Sequence, residues 1–161
     1  MMVTLNAAEQ KLAKFLAQSR YQNARKREIK DAKMGEQTNW ETDLEGVAAE
    51  IAFCKLFNVY PDMETDLPPD KLPDADAYTF AMGAVDVKAT KRPNGRLLAR
   101  KNKATKNIDT FVLMIGVFPE YQFVGSASAN KLLQDSTLRD LGRGEGHCLD
   151  QNDLDKYDGR T

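Results

Sequence analysis

The chain has 161 residues, with 23 Lys and Arg, 24 Asp and Glu and one His, so its formal net charge is −1. This length predicts a single domain over residues 1–161 that buries a core without disulfides. The sequence has no apolar run near the ~18 residues that a membrane span requires, and its first residues do not form a signal peptide. Two cysteines and one histidine exclude a disulfide framework and a multi-histidine metal centre. We therefore expect a cytoplasmic protein without a membrane partner.

The charges are segregated along the chain. Residues 20–33 carry six basic and two acidic side chains, residues 62–76 carry one Lys against six carboxylates, and residues 88–106 carry eight basic side chains and no acid. Basic clusters neutralise phosphates, and clustered carboxylates attract divalent cations. The pattern indicates either a nucleic-acid surface beside a metal site or a solvated basic loop balanced by an acidic turn.

Two helices are predicted first. Asn6 and Glu9 have the spacing of an N-terminal capping pair, and apolar side chains then recur at helical spacing, so a helix is predicted over about residues 6–30. The apolar positions are Leu5, Ala8, Leu12, Phe15 and Leu16. A second helix is predicted over about residues 43–58, and the prolines within 61–73 predict a loop.

Strands follow. Residues 78–80 and 85–88 flank Gly83, which predicts a hairpin. The almost continuously apolar run 111–118 predicts a strand buried on both faces, and 121–124 predicts the next strand.

The last part of the chain is predicted to hold one short helix and loops. Ser128 is expected to cap a helix over 129–133. Three glycines of the tail predict loops, and His147 is expected on the surface or in a loop. Two helices followed by three or four strands and a short helix predict an α/β or α+β sheet with helices packed on it.

Glu50 is the exception in an apolar helical segment. Every other side chain between Gly46 and Cys54 is apolar or absent. An unpaired charge in a core costs several kcal/mol. Glu50 is therefore either compensated by a cation, a metal-bound water or a lysine, or reaches solvent at the edge of the helix.

A carboxylate and an ammonium group are predicted on one face of the strand that follows Gly83. Because side chains alternate along a strand, Asp86, Lys88 and Thr90 project together, with Asp86 and Lys88 about 7 Å apart along the strand. Asp76 lies ten positions upstream of Asp86, and Asp74 is the alternative.

This set of residue types suits metal-dependent hydrolysis of a phosphodiester. Carboxylates bind Mg²⁺ while leaving waters in place, and the backbone carbonyl of Val87 can add a further oxygen ligand. Lys88 can position or activate a water and shield the phosphate.

These segments resemble the PD-(D/E)xK nuclease superfamily, which has the restriction-endonuclease-like fold. The matching pieces are 46–50 on the first core helix, 73–76 leading into the hairpin, and 86–88 on the next strand. The strands 111–117 and 121–125 and the tail 142–154 are similar to those of small, often phage-encoded members. The resemblance covers about residues 43–154 and implies an α/β fold with a restriction-endonuclease-like core. That core is a mixed sheet of about four strands flanked by helices, with an extra N-terminal helical extension over about residues 1–40.

The resemblance implies a Mg²⁺-dependent deoxyribonuclease, with Mn²⁺ as a substitute, in phage or prophage nucleic-acid metabolism. Asp76 and Asp86 would be metal ligands, Lys88 the catalytic lysine, and Glu50 an auxiliary carboxylate that binds a second metal or acts through water. The expected contacts to the DNA backbone are Lys91, Arg92, Arg96, Arg100, Lys101 and Lys103. A homodimer or a partner protein is expected to supply specificity. The alternative is a catalytically inactive protein of the same fold that acts as a DNA-binding accessory or an inhibitor.

Overall fold

The computed structural model of the protein describes residues 1–26, 39–66, 75–101 and 107–157. In this part of the chain, helices pack on a mixed five-stranded sheet, and a second sheet has three strands. In chain order the elements are β1 (Met2–Thr4), α1 (Ala7–Lys26), α2 (Asn39–Phe57), β2 (Ala77–Thr79), β3 (Gly83–Thr90), β4 (Leu97–Arg100), β5 (Thr110–Val117), β6 (Glu120–Ser128), α3 (Ala129–Leu132), β7 (Leu138–Asp140) and β8 (Glu145–Leu149), with 3-10 turns at Asp135–Thr137 and Gln151–Asp153.

Helix α1 begins at the predicted capping pair. The backbone N–H of Asn6 donates to Glu9 at 2.7 Å, and that of Glu9 donates to the Asn6 side chain at 2.9 Å. This reciprocal pair satisfies two N–H groups that a helix start leaves without partners. Two residues that were predicted on the apolar face of this helix are exposed instead: Ala8 and Phe15, the latter 64% exposed. The buried stripe runs through Ala13, Leu16 and Ala17.

Helix α2 starts four residues earlier than predicted, so Trp40 lies in its first turn and packs against the core. Asn58 follows the last helical residue with a φ of 53°, and the N–H of Val59 donates to the carbonyl of Cys54 at 2.9 Å. This left-handed residue ends the helix and turns the chain toward the segment 59–66.

The main sheet has the order β1-β6-β5-β3-β2. The predicted hairpin is confirmed as the antiparallel pair β2–β3, and Gly83 has a φ of 68°, which favours glycine. Strand β3 runs parallel to β5, and β5 runs antiparallel to β6. The sequence predicted about four strands, whereas β1 adds a fifth at the edge, so residues before 43 contribute to the main sheet.

The second sheet was not predicted. It has the order β4-β8-β7 and joins part of the basic run to the glycine-rich tail. His147 lies in β8 and is 8% exposed, and its Nδ1 is 2.8 Å from the Thr137 hydroxyl. The prediction that His147 lies on the surface or in a loop is therefore wrong.

Two apolar clusters lie on opposite faces of the main sheet. One packs α1 and α2 against Val85 and Val87 of β3, and the other holds Ala84 of the same strand with residues of β4 and β5. Alternation along β3 therefore places Asp86 and Lys88 on the face of Ala84. Among the described helices, none is long and apolar enough to cross a membrane.

Candidate functional site

Two hydrogen bonds fasten Asp76 to strand β3 on either side of Asp86. The backbone N–H of Asp76 donates to the carbonyl of Val85 at 2.8 Å, and its carboxylate Oδ2 accepts the N–H of Val87 at 2.7 Å. The carboxylate of Asp76 therefore lies beside the backbone that carries Asp86. Asp74, the alternative to Asp76, lies outside the described residues.

Asp86 and Lys88 form an ion pair. The Nζ of Lys88 is 2.6 Å from Oδ1 of Asp86, and their side chains are 32% and 8% exposed. The strand spacing predicted two neighbouring side chains on one face, and the long lysine closes the remaining distance. Thr90, next on this face and the last residue of β3, accepts the N–H of Arg92 at 3.2 Å through its hydroxyl, which ties it to the turn that follows.

Glu50 projects from α2 and meets Arg20 of α1. The guanidinium Nη1 is 3.1 Å from Oε2 of Glu50, and the Glu50 side chain is 17% exposed. The sequence left open whether the charge of Glu50 is compensated by a partner or reaches solvent. In the structure it is compensated by a cation, the guanidinium group of Arg20.

Electrostatic effects connect these side chains. Burial raises the pKa of Glu50 above its ordinary value, the Asp76 carboxylate raises it further, and Arg20 opposes the rise. Burial lowers the pKa of Lys88, Asp76 and Glu50 oppose this, and Arg100 at the end of β4 adds to the lowering. Glu50, Asp76 and Arg100 are thus close enough for their charges to act on Lys88, although the four residues come from three different parts of the chain.

The oxygen donors present are of the type that Mg²⁺ prefers. Within the described part of the chain, no group of three or more His, Cys, Asp or Glu side chains is arranged to hold a metal ion. Mg²⁺ does not need such a cage, because it is usually bound through one or two carboxylates and keeps several waters. Asp76, beside the backbone of β3, and Asp86 on that strand fit that donor chemistry.

The predicted DNA-contacting residues are distributed over the turn after β3 and over β4. Lys91, Arg92, Arg96, Arg100 and Lys101 are all exposed, and Lys103 lies outside the described residues. Acids of the C-terminal region lie beside two of these cations: Lys101 is 2.7 Å from Glu145, and Arg96 is 3.6 Å from Asp150.

Arg20 is the site residue that sequence reasoning missed. A signal was present, because Arg20 follows Ala13, Leu16 and Ala17 at the spacing of the buried stripe of α1. A charged side chain on a buried stripe requires a partner of opposite charge in the interior. Glu50 on α2 is also a charged residue among apolar neighbours, and its charge is opposite to that of Arg20.

Comparisons of the chain with protein-family models, with curated proteins and with solved structures gave no match.

Proposed function

We propose that the protein is a Mg²⁺-dependent nuclease that hydrolyses phosphodiester bonds of DNA. The observation that carries the proposal is the group formed by Asp76, Asp86 and Lys88 on the β2–β3 hairpin, with the charge of Glu50 of α2 acting on Lys88. The sequence alone predicts each of these residues for the site. Their assembly supports the resemblance to the PD-(D/E)xK superfamily, and the α/β fold with a mixed sheet is compatible with it.

Asp76 and Asp86 would hold the Mg²⁺ ion, with Glu50 acting directly or through a water and with the Val87 carbonyl as a further oxygen. When bound, Mg²⁺ lowers the pKa of a coordinated water and neutralises charge that develops on the phosphate. Lys88 would orient the attacking water or stabilise the phosphate oxygens with its ammonium group. Arg100, whose charge acts on Lys88, would contact the adjoining DNA backbone.

The proposal is tested by incubating single- and double-stranded DNA with the full chain in the presence of Mg²⁺ or of EDTA. We expect cleavage with Mg²⁺ alone, and a loss of about 100-fold or more in Asp86→Asn and in Lys88→Met. Glu120→Gln and Lys11→Met serve as matched controls, because both side chains are exposed and lie on β6 and α1. Cleavage that persists in Asp86→Asn would falsify the assignment.

A different outcome would favour the alternative function. If the wild-type chain retains DNA at low salt without cleaving it under any divalent cation, the fold serves binding rather than hydrolysis. Retention that falls steeply as salt rises would then identify phosphate contacts.

A further inference from the structure

Arg20 contacts two parts of the molecule at once. Its Nη1 donates to the Glu50 carboxylate at 3.1 Å, its Nε donates to the carbonyl of Glu64 at 2.8 Å, and its Nη2 donates to the carbonyl of Asp62 at 3.0 Å. The planar guanidinium presents its donors in a fixed fork, so one arginine can hold a side chain and two backbone carbonyls in a defined arrangement. A lysine at this position could hold the carboxylate but not the same set of three acceptors.

The segment that Arg20 holds leads from α2 toward the hairpin. Asn23, three residues later on α1, donates from Nδ2 to the carbonyl of Thr65 at 2.7 Å. Positions three residues apart lie on the same helix face, so α1 lines up the carbonyls of 62–65 along that face. In the described part of the chain, Asn23 shares the segment with Arg20 but makes no hydrogen bond to Glu50, so variants can separate the two roles.

Charge explains why Glu50 needs this partner. Glu50 is mostly buried, and both Asp76 and Asp62 are near enough to act on it with charge of the same sign. Removal of one partner from a buried ion pair leaves an uncompensated charge, which is strongly unfavourable. Without Arg20, the Glu50 carboxylate would lose its cationic partner and would no longer be held in this position.

We propose that Arg20 is a positioning residue of the candidate site, which fixes the Glu50 carboxylate and the 62–65 segment relative to the β2–β3 hairpin. This inference rests on the proposed nuclease function, and it makes α1 a part of the active site rather than an appended helix.

The experiment compares Arg20→Met, Arg20→Lys and Asn23→Ala, alone and combined with Glu50→Gln, with Gln18→Met on the exposed side of α1 as the matched control. We expect Arg20→Met to lower kcat about tenfold or more with little change in KM for DNA, since a displaced catalytic group slows chemistry. Arg20→Lys should recover part of that loss by pairing with Glu50. In the Glu50→Gln background, Arg20→Met should cost far less, whereas the effect of Asn23→Ala should be unchanged.

A second measurement does not depend on activity. Protease cleavage after Glu64 by a glutamate-specific enzyme should accelerate in Arg20→Met and in Asn23→Ala, because each loses bonds to the 62–65 segment. Thermal unfolding of the same variants should show coupling between Arg20 and Glu50 but not between Asn23 and Glu50. If Arg20→Met fails to fold, Arg20→Lys tests the role in the segment, because it should keep the coupling to Glu50 but accelerate cleavage after Glu64.

The outcomes are distinguishable. Equal losses from Arg20→Met in the wild-type and Glu50→Gln backgrounds, or unchanged cleavage after Glu64, would overturn the positioning role while leaving the nuclease proposal intact. A wild-type chain that cleaves no DNA would overturn the nuclease proposal. Proteolysis and coupling in thermal unfolding would then still decide whether Arg20 fixes Glu50 and the segment.

Discussion

At the scale of single residues, a buried phenol and a carboxylate join α2 to the main sheet. The hydroxyl of Tyr121 donates to Oε2 of Glu45 at 2.6 Å, and the same carboxylate accepts the N–H of Phe118 at 3.3 Å. The Tyr121 residue has no exposed area. Burial raises the pKa of Tyr121 well above its usual range, and the bond to Glu45 raises it further. The phenol therefore stays protonated in the folded protein at pH values where it ionises in the unfolded chain.

We expect Tyr121→Phe to lower the free energy of unfolding by about 1–3 kcal/mol at neutral pH, because a hydrogen bond to a charged acceptor is lost. The folded state binds more protons than the unfolded state above pH ~10, so wild-type stability should fall with rising pH there, and the variant should lack this component. Urea unfolding at neutral pH and above pH ~10 measures both effects. Tyr78→Phe, at a 63% exposed position, is the matched control. Equal pH slopes in the wild type and in Tyr121→Phe would contradict the account.

At the scale of elements, α2 contains an interior glycine in an open position. A Cβ atom at Gly46 would meet nothing within 4 Å. Gly46 borders a cleft of about 190 Å³ that is lined by Arg20, Thr42, Asp43, Gly46, Val47 and Glu50. The glycine therefore costs helix stability without relieving a steric clash with any described residue.

We expect Gly46→Ala to raise the free energy of unfolding by about 0.5–1 kcal/mol, because alanine restricts the unfolded chain and favours the helix. Gly116→Ala in β5 should do the opposite, since its Cβ would clash with the backbone of Glu120 and Tyr121. Thermal or urea unfolding of the two variants measures the difference. Destabilisation by Gly46→Ala would show that the cleft is not open to a methyl group.

Short sequence patterns predicted those elements whose stabilising contacts join residues close together in the chain. The capping pair Asn6 and Glu9 is confirmed, and so is the cap at Ser128, whose side chain accepts the N–H of Lys131. The strands of the second sheet were missed because they have only three to five residues. Their stability comes from pairing across the fold, as in the register of Leu97 with Leu149. No local pattern encodes a pairing over that distance.

At the scale of the whole molecule, the near-zero net charge conceals a partial neutralisation of the basic run. Lys101 and Arg96 face acids of the C-terminal region, whereas Lys91 and Arg92 lie exposed in the turn after β3. Exposed ion pairs contribute little stability, but they compete with phosphate for the same cations. The residues of the run should therefore differ in their contribution to DNA binding.

If the protein binds DNA as proposed, Lys91→Gln and Arg92→Gln, at exposed positions of the turn after β3, should weaken binding more than Lys101→Gln, whose cation is shared with Glu145 at 2.7 Å. Fluorescence anisotropy with a labelled DNA duplex at about 50 and 200 mM salt measures this. The first two variants should also reduce the dependence of affinity on salt. Identical losses in all three variants would show that pairing with Glu145 does not matter.

The site was predicted only in part from the sequence, for a physical reason. Asp86 and Lys88 were found because alternation along one strand fixes their relation, and Glu50 was found because its helical neighbours are apolar. Arg20 was not found as its partner, because 30 positions separate Arg20 from Glu50. Helical spacing shows that each residue faces the interior, but the packing of α1 on α2 decides which charges meet.

The way in which β6 is covered has a consequence for self-association. One end of its outer edge pairs with β1, from Thr4 opposite Glu120 to Met2 opposite Gln122. The other end is closed by Asp155, which exchanges two backbone hydrogen bonds with Ser126. Open strand edges invite pairing with other molecules. Residues from opposite ends of the chain thus shield one strand against aggregation, and the loss of either would expose β6 as a template for the growth of intermolecular sheets.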